Sequence, residues 1–163
     1  MKSARPKSAS LWRRRCRAEQ MRSPQYIHLK ADENLPSMPL NGAFSAVVII
    51  ECDITAKWRA LVSRWLVRNG CLFMMAWGRE CALWDESVDY ANIDQFGGKV
   101  IPEENYVYTT WHDDEELEEV FWFSRYAAQH PVAKLENILL VDISPVARER
   151  KMIDAFESAI RDQ

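Results

Sequence analysis

Four short apolar runs, each followed by an amphipathic stretch, limit this chain to a narrow set of architectures. The runs cover residues 46–50, 71–77, 106–110 and 138–143. Alternation of strand-sized runs with helical stretches predicts a parallel sheet flanked by helices. The first two runs show no polar alternation, which is typical of strands covered on both faces. We therefore predict an α/β fold, a three-layer sandwich with a four- to five-stranded, mainly parallel sheet.

The stretches between the runs carry apolar residues three and four positions apart, which predicts a helix after each run. The second helix is expected over about residues 79–92, and the third is expected to end near residue 130. Residues able to cap a helix N-terminus stand before three of the stretches: Asp53 or Thr55, Asp113, and Ser144 followed by Pro145. Four indoles are expected to fill the interface between sheet and helices: Trp58, Trp65, Trp84 and Trp122.

The carboxyl ends of parallel strands meet at one edge of a sheet, which is where α/β proteins bind ligands. Residues able to bind or react end each predicted strand, at positions 51–53, 77–78, 109–112 and 142–144. We therefore expect one rim that carries a residue from each strand end: Asp53, Trp77, His112 and Ser144. The strand order is hypothesised to be flavodoxin- or Rossmann-like, with residues 26–29 as a short edge strand.

The formal net charge of −3 is unevenly distributed over the 163 residues. Residues 1–30 carry nine Lys or Arg against one acid, a charge of +8, so the remaining residues carry −11. An acidic body repels nucleic acid and membrane phosphate and attracts basic proteins. We therefore expect a basic protein partner, no membrane partner, and nucleic-acid contact only through residues 1–24. Those 24 residues are predicted to be a disordered extension, and residues 25–163 a single α/β domain.

The four cysteines form no C-x-x-C pair and follow no secretory segment, which favours reduced thiols and a cytoplasmic location. Cys81 is expected in the first turn of the second helix, where the helix dipole lowers the pKa of a thiol. With Cys52 and His112 on neighbouring loops, a cysteine nucleophile and a histidine base can be oriented by one of three carboxylates: Asp53, Asp85 or Asp142. The competing interpretation is that Cys81 is a small buried apolar side chain.

The densest polar cluster, residues 109–116, ends the third predicted strand and opens a helix. His112, Asp113 and Glu116 are metal-ligand types, but their spacing does not bring them together, so no metal site is predicted. First-turn acids that offset the helix dipole are the simpler interpretation. Phosphate-binding glycine loops are absent, so no cofactor is predicted. Tryptophan flanked by carboxylates predicts a docking surface, with these candidate residues: Asp53, Trp77, Thr110, Trp111, Asp113, Asp114, Glu116, Asp142 and Ser144.

A resemblance to a known family rests on four segments: AVVIIE at 46–51, MMAWG at 74–78, WDESVD at 84–89 and TTWH at 109–112. Together they resemble a bacterial domain family that has no assigned function. The resemblance covers about residues 26–160 and implies one compact domain with an N-terminal extension. It implies no activity, cofactor or catalytic residue.

Two functions follow from these patterns. The favoured one is a non-catalytic protein-binding module with an acidic docking surface at the strand carboxyl ends, such as an immunity- or inhibitor-type accessory protein. The alternative is a small cysteine-dependent hydrolase that uses Cys81 or Cys52 with His112. The missing catalytic motifs favour the binding module, although many catalytic sites have no short signature.

Overall fold

The computed structural model describes residues 23–161 of the chain. The predicted disordered extension over residues 1–24 lies outside the described residues, except for Ser23 and Pro24. Pro24 is buried, and Ser23 Oγ donates a 2.8 Å hydrogen bond to Glu157 Oε1. The folded part of the chain therefore includes residue 23, which is tied to a helix near the other end of the domain.

From the second strand onward, strands and helices alternate along the described chain, as the apolar runs predict. The elements are β1 (Gln25–Leu29), β2 (Phe44–Ile50), α1 (Ala56–Arg68), β3 (Cys71–Gly78), α2 (Ala82–Gln95), β4 (Tyr108–His112), α3 (Leu117–Tyr126), β5 (Asn137–Ile143) and α4 (Glu149–Arg161). A single 3-10 turn, Glu103–Asn105, precedes β4. The five strands form one sheet in which every neighbouring pair is parallel. The α/β fold class is thereby confirmed.

The strand order is β1-β5-β2-β3-β4. If β2, β3, β4 and β5 are counted as strands 1 to 4, their order in the sheet, starting at β4, is 3-2-1-4. This is the order of the first four strands in the Rossmann fold. The order is therefore the Rossmann-like one of the two anticipated. It places β2 at the centre of the sheet, which explains why all seven of its residues are buried.

The helices cover the sheet on both faces. Helices α1 and α2 pack on the first face, together with residues of the loop that joins β1 to β2. Helices α3 and α4 pack on the second face. The connections from β1 to β2, from β2 to β3 and from β3 to β4 run in one direction across the sheet and lie on its first face. The connection from β4 to β5 runs in the opposite direction and lies on the second face. A single crossover hand requires this arrangement.

The connection from β1 to β2 contains no helix, and two indoles hold it against α1. Trp58 Nε1 donates to Glu33 O at 2.9 Å, and Trp65 Nε1 donates to Pro36 O at 2.9 Å. Prolines in this loop exclude a helix. The indole donors therefore satisfy backbone carbonyls that a helix would have bonded internally.

The predicted starts of α3 and α4 are wrong. Helix α3 begins after Glu116, which forms a capping box with Glu119, so Asp113 is a loop residue and not the cap. Helix α4 begins only at Glu149, and Ser144 Oγ donates instead to Val146 O at 3.0 Å. Short loops intervene at both places because tertiary contacts, described below, hold the residues after each strand. Of the two predicted candidates for the cap of α1, Asp53 and Thr55, Thr55 is the cap, and its side chain accepts from Trp58 N.

Three other boundaries differ by a few residues from those predicted. Helix α2 spans Ala82–Gln95 because the preceding turn includes Glu80 with a left-handed φ of 50°. Strand β4 starts two residues later than expected, and the Val107 N–H is bonded to Asn92 Oδ1. Helix α3 ends at Tyr126, because the following segment folds around His130, whose Nδ1 accepts from the backbone N–H groups of the next loop.

Candidate functional site

The strand ends form one rim, since all five strands run in the same direction. Register pairs Ile50 with both Ile143 and Gly78, and pairs Trp77 with His112. The residues expected on the rim therefore follow one another along the carboxyl edge of the sheet, in this order: Ser144, Asp53, Trp77 and His112. Asp53 is exposed and forms a 2.8 Å ion pair with Arg79 of the β3–α2 turn.

Gly78 allows the ends of β2 and β3 to approach each other closely at the centre of this rim. Its φ of 102° lies in the left-handed region, and a Cβ there would overlap the Ile50 carbonyl oxygen. The same carbonyl accepts a 2.9 Å hydrogen bond from the Arg79 backbone N–H. Only glycine fits this close approach without moving β2.

One half of the rim is filled by a polar network around one buried carboxylate, which we call the Asp142 network: Tyr26, Glu51, Asp142 and Arg148. Asp142 has no solvent exposure. Tyr26 Oη donates to its Oδ2 at 2.7 Å, and Arg148 donates to both oxygens, from Nε at 3.1 Å and from Nη2 at 2.9 Å. Arg148 Nη1 also pairs with Glu51 at the end of β2. The guanidinium therefore joins the ends of β5 and β2.

The pKa values in the Asp142 network favour one set of charges. Burial raises the pKa of Tyr26 to about 12. The hydrogen bond from the Arg148 backbone N–H lowers this pKa, and the hydrogen bond to Asp142 raises it. The hydrogen bond to Asp142 is the main cause that raises the pKa of Arg148. The phenol stays neutral and the guanidinium stays charged at neutral pH, so a neutral donor and an ion pair together satisfy the buried carboxylate.

The Asp142 network removes two predicted binding residues from solvent. Asp142 is fully buried, and Ser144 is 2% exposed, with its carbonyl 2.7 Å from His28 Nε2. The crevice between β2 and β5 is the point where ligands bind in sheets of this order. Here protein side chains occupy it, so its geometry points to a structural role.

The three described cysteines sit in surroundings that disfavour thiolates. Cys81 is 2% exposed and packs in the first-face core, and burial raises the pKa of its thiol. Burial likewise raises the pKa of half-buried Cys52, and raises that of Cys71 to about 12. The expected lowering of the Cys81 pKa by a helix N-terminus is wrong, because desolvation outweighs it.

His112 and Cys81 face opposite sides of the sheet. The imidazole packs edge-on against Phe123 on the second face, with ring centroids 5.1 Å apart. Its Nε2 lies 2.9 Å from Thr110 Oγ1, and its Nδ1 lies 2.9 Å from Glu115 Oε2. Both ring nitrogens therefore have partners other than a thiol.

The contacts of His112 instead anchor the loop between β4 and α3. Trp77 Nε1 donates to Glu115 O at 2.8 Å, so the indole and the imidazole hold the same residue. Hydroxyl, imidazole and carboxylate stand in the order of an acyl-transfer triad. The imidazole, however, is only 5% exposed, which favours an anchoring role. Asp85 lies on the other face, where it accepts a hydrogen bond from Thr109.

The remaining half of the rim is open and acidic. Trp111, at the end of β4, is 46% exposed, and the loop that follows exposes four carboxylates, of which Glu115 contacts His112. We call this the acidic surface: Trp111, Asp113, Asp114 and Glu116. Trp122 on α3 is 36% exposed, so the expectation that it fills the sheet–helix interface is wrong, while Trp58 and Trp84 are buried as predicted.

A groove adjoins the acidic surface on the second face. Its volume is about 490 Å³, and we call it the α3 groove, with these described lining residues: Glu115, Glu118, Glu119, Trp122, Phe123, Ser158 and Ala159. Three carboxylates, two aromatic rings and no basic side chain belong to this set of described residues. An apolar floor under an acidic margin fits an amphipathic cation better than an anion.

Sequence reasoning singled out neither Tyr26 nor Arg148, and it gave Glu51 and Glu115 only as members of polar segments at strand ends. Their roles depend on contacts between distant positions; Tyr26 and Asp142, for example, are 116 residues apart. Within residues 23–161, no three His, Cys, Asp or Glu side chains come together as a metal-binding group. In the same range, no helix has the length and apolar character needed to cross a membrane.

The fold and rim define a small doubly wound α/β domain with a closed crevice and an acidic, tryptophan-bearing strand end. A family model described as "Domain of unknown function (DUF7684)" matches residues 24–160. The chain belongs to this family. Searches of curated proteins and of solved structures returned no significant match.

Proposed function

We propose that this domain is a non-catalytic binding module that docks a basic protein partner through the acidic surface. The observation that carries the proposal is the 46% exposure of Trp111 at the end of β4, followed along the chain by a loop with exposed Asp113, Asp114 and Glu116. Exposed indoles bury large area at interfaces, and neighbouring carboxylates attract a cationic partner and orient it.

The acidic surface is held in a fixed shape, which lowers the entropic cost of docking. His112 and Trp77 both bind Glu115, and the Glu116–Glu119 capping box fixes the start of α3. The loop thus presents its carboxylates from a rigid support. The acidic balance of residues 31–163, a formal −11, supports attraction of a basic partner over longer distances.

A small, acidic, single-domain protein of this kind fits an immunity- or inhibitor-type accessory role in the cytoplasm of a bacterium. Such proteins act by covering a basic surface on another protein, and they need no catalytic group. The alternative, a hydrolase using Cys81 or Cys52 with His112, has less support because the thiols are shielded and the imidazole is engaged elsewhere.

The test uses a fluorescein-labelled 12-residue peptide of alternating Arg and Ser, titrated with the full chain in fluorescence anisotropy. The variant Asp113→Asn/Asp114→Asn/Glu116→Gln should weaken binding at least tenfold at low salt, because three attractive charges are lost. Gln at position 116 keeps an oxygen that can accept the capping hydrogen bond. The matched control, Glu86→Gln/Glu103→Gln/Glu104→Gln, removes the same charge from exposed positions elsewhere.

The control variant should bind within about twofold of the wild type. Raising the salt from about 50 to 500 mM should reduce the wild-type affinity strongly, since exposed charges are screened. Equal affinities for the two triple variants would contradict the proposed surface. Absence of any binding by the wild type would reject a basic partner.

A further inference from the structure

We propose that the α3 groove binds an arginine side chain of the partner and discriminates it from lysine. The inference rests on the proposed function, since it names the chemistry that this partner presents next to the acidic surface. A guanidinium is planar and weakly hydrated, stacks on an aromatic ring, and offers donors that match carboxylates. The groove supplies both of these contacts within one helical turn.

Trp122 provides the stacking surface. Its indole is 36% exposed, and Tyr126 supports it with ring centroids 5.5 Å apart. Tyr126 is itself fixed on α4, because its hydroxyl donates to Ile160 O at 3.0 Å. The ring therefore has a rigid support on one side and solvent on the other. Arginine favours tryptophan over other aromatic rings as a cation–π partner.

Two glutamates lie where the donors of a stacked guanidinium would point. Glu118 and Glu119 precede Trp122 by four and three residues, so they flank it one turn toward the start of α3. Long helical side chains lean toward the helix N-terminus, which brings the indole over that turn. Among residues 23–161, Glu118 has no hydrogen-bond or ion-pair partner, while Glu119 Oε2 accepts from Glu116 N at 2.9 Å.

The floor of the α3 groove suits the aliphatic stem of the arginine. Phe123 and Ala159 line it beside Trp122, and its volume of about 490 Å³ exceeds that of one side chain. Lysine could reach the same carboxylates, but its compact ammonium is strongly hydrated and stacks less well on an indole. If charge alone determined affinity, arginine and lysine would bind equally well. A preference for arginine would therefore indicate binding in the α3 groove.

The test compares two peptides of identical length, Arg-Ser and Lys-Ser alternating over 12 residues, by isothermal titration with the full chain. The arginine peptide should bind at least tenfold more tightly than the lysine peptide. Trp122→Leu should bring the two affinities within about twofold of each other by weakening arginine binding. Tyr90→Leu, which removes an exposed aromatic ring on α2, outside both the groove and the acidic surface, should keep the preference.

Circular dichroism should show that each variant is folded, because both aromatic rings are exposed. Glu118→Gln should weaken the arginine peptide more than the lysine peptide. Equal affinity of the wild type for both peptides would overturn the arginine site and leave the docking proposal standing. A preference that survives Trp122→Leu would also overturn it. Failure of both peptides to bind would reject the proposed function itself.

Discussion

Cys81 illustrates how a single residue changes meaning once its neighbours are known. It directly precedes α2, where the helix dipole favours a thiolate, but it is 2% exposed among apolar side chains. Removing a thiolate from water raises its free energy by more than the dipole at a helix end lowers it. The residue therefore behaves as a small apolar group, which was the competing interpretation of the sequence.

Slow thiol labelling is the prediction that follows at the residue scale. At pH 7 and in the native state, Cys71 and Cys81 should react with a thiol reagent at least a hundredfold more slowly than in denaturant. Their burial and raised thiol pKa values both limit the thiolate. Cys52 should react at an intermediate rate, because it is half-buried.

Mass spectrometry of quenched samples assigns each rate to its cysteine. Free glutathione in the same buffer serves as the reference for an exposed thiol. Rapid native labelling of Cys81 that slows in His112→Ala would instead restore the cysteine-hydrolase alternative.

Pairing of β1 with β5 shows what an element contributes beyond its own residues. Strand β1 has only five residues, yet it brings Tyr26 to Asp142 and His28 to the Ser144 carbonyl. Without β1, the buried carboxylate of Asp142 would lose a neutral donor, and Arg148 would lose the hydroxyl that accepts from its backbone N–H. Removing one partner of a buried charge is costly.

The ionisation of Tyr26 predicts a loss of stability at alkaline pH. The folded state raises its pKa from 10.0 to about 12, so the folded protein holds this proton more tightly than the unfolded chain. This contribution is complete below pH 10 and disappears as the pH rises toward 12. We expect this contribution to the free energy of unfolding to be about 1 kcal/mol, less than the full pKa shift would give, because part of the phenol contacts solvent.

Urea denaturation of the wild type and Tyr26→Phe at several pH values measures the effect. At pH 8 the variant should be about 1–2 kcal/mol less stable, since Asp142 loses a hydrogen bond. The gap should narrow by about 1 kcal/mol by pH 11.5. A gap that stays constant over this range would contradict the assignment to Tyr26.

At the scale of the whole molecule, the described sheet and helices pack together as one domain. Two cores on opposite faces use residues from every strand and helix between Gln25 and Arg161. A family model matches nearly the same range, residues 24–160. The basic residues before this range add charge of the opposite sign to that of the domain.

Removal of residues 1–22 should therefore leave the stability of the domain unchanged. A variant that begins at Ser23 should unfold in urea with a free energy within about 0.5 kcal/mol of the full chain. A variant that begins at Lys30, and so lacks β1, serves as the contrast and should be destabilised by more than about 4 kcal/mol or fail to fold. A large loss from the first truncation would place residues 1–22 within the cooperative unit.

The sequence by itself determined the alternation of strands and helices, the parallel direction of the strands and the single rim. These features depend on local apolar periodicity and on the length of the connections, both of which can be read along the chain. The cap of α1 belongs to the same class, because caps are short-range: the sequence limited it to Asp53 or Thr55, and Thr55 is the cap.

Only the tertiary structure decided which rim residues are open. Strand order brings Arg148 against Asp142 and Glu51 and closes one half of the rim. The face on which each side chain emerges separates His112 from Cys81 and leaves Trp122 exposed. These outcomes depend on register and on packing between distant segments, where a shift of one residue would reverse every side chain in a strand.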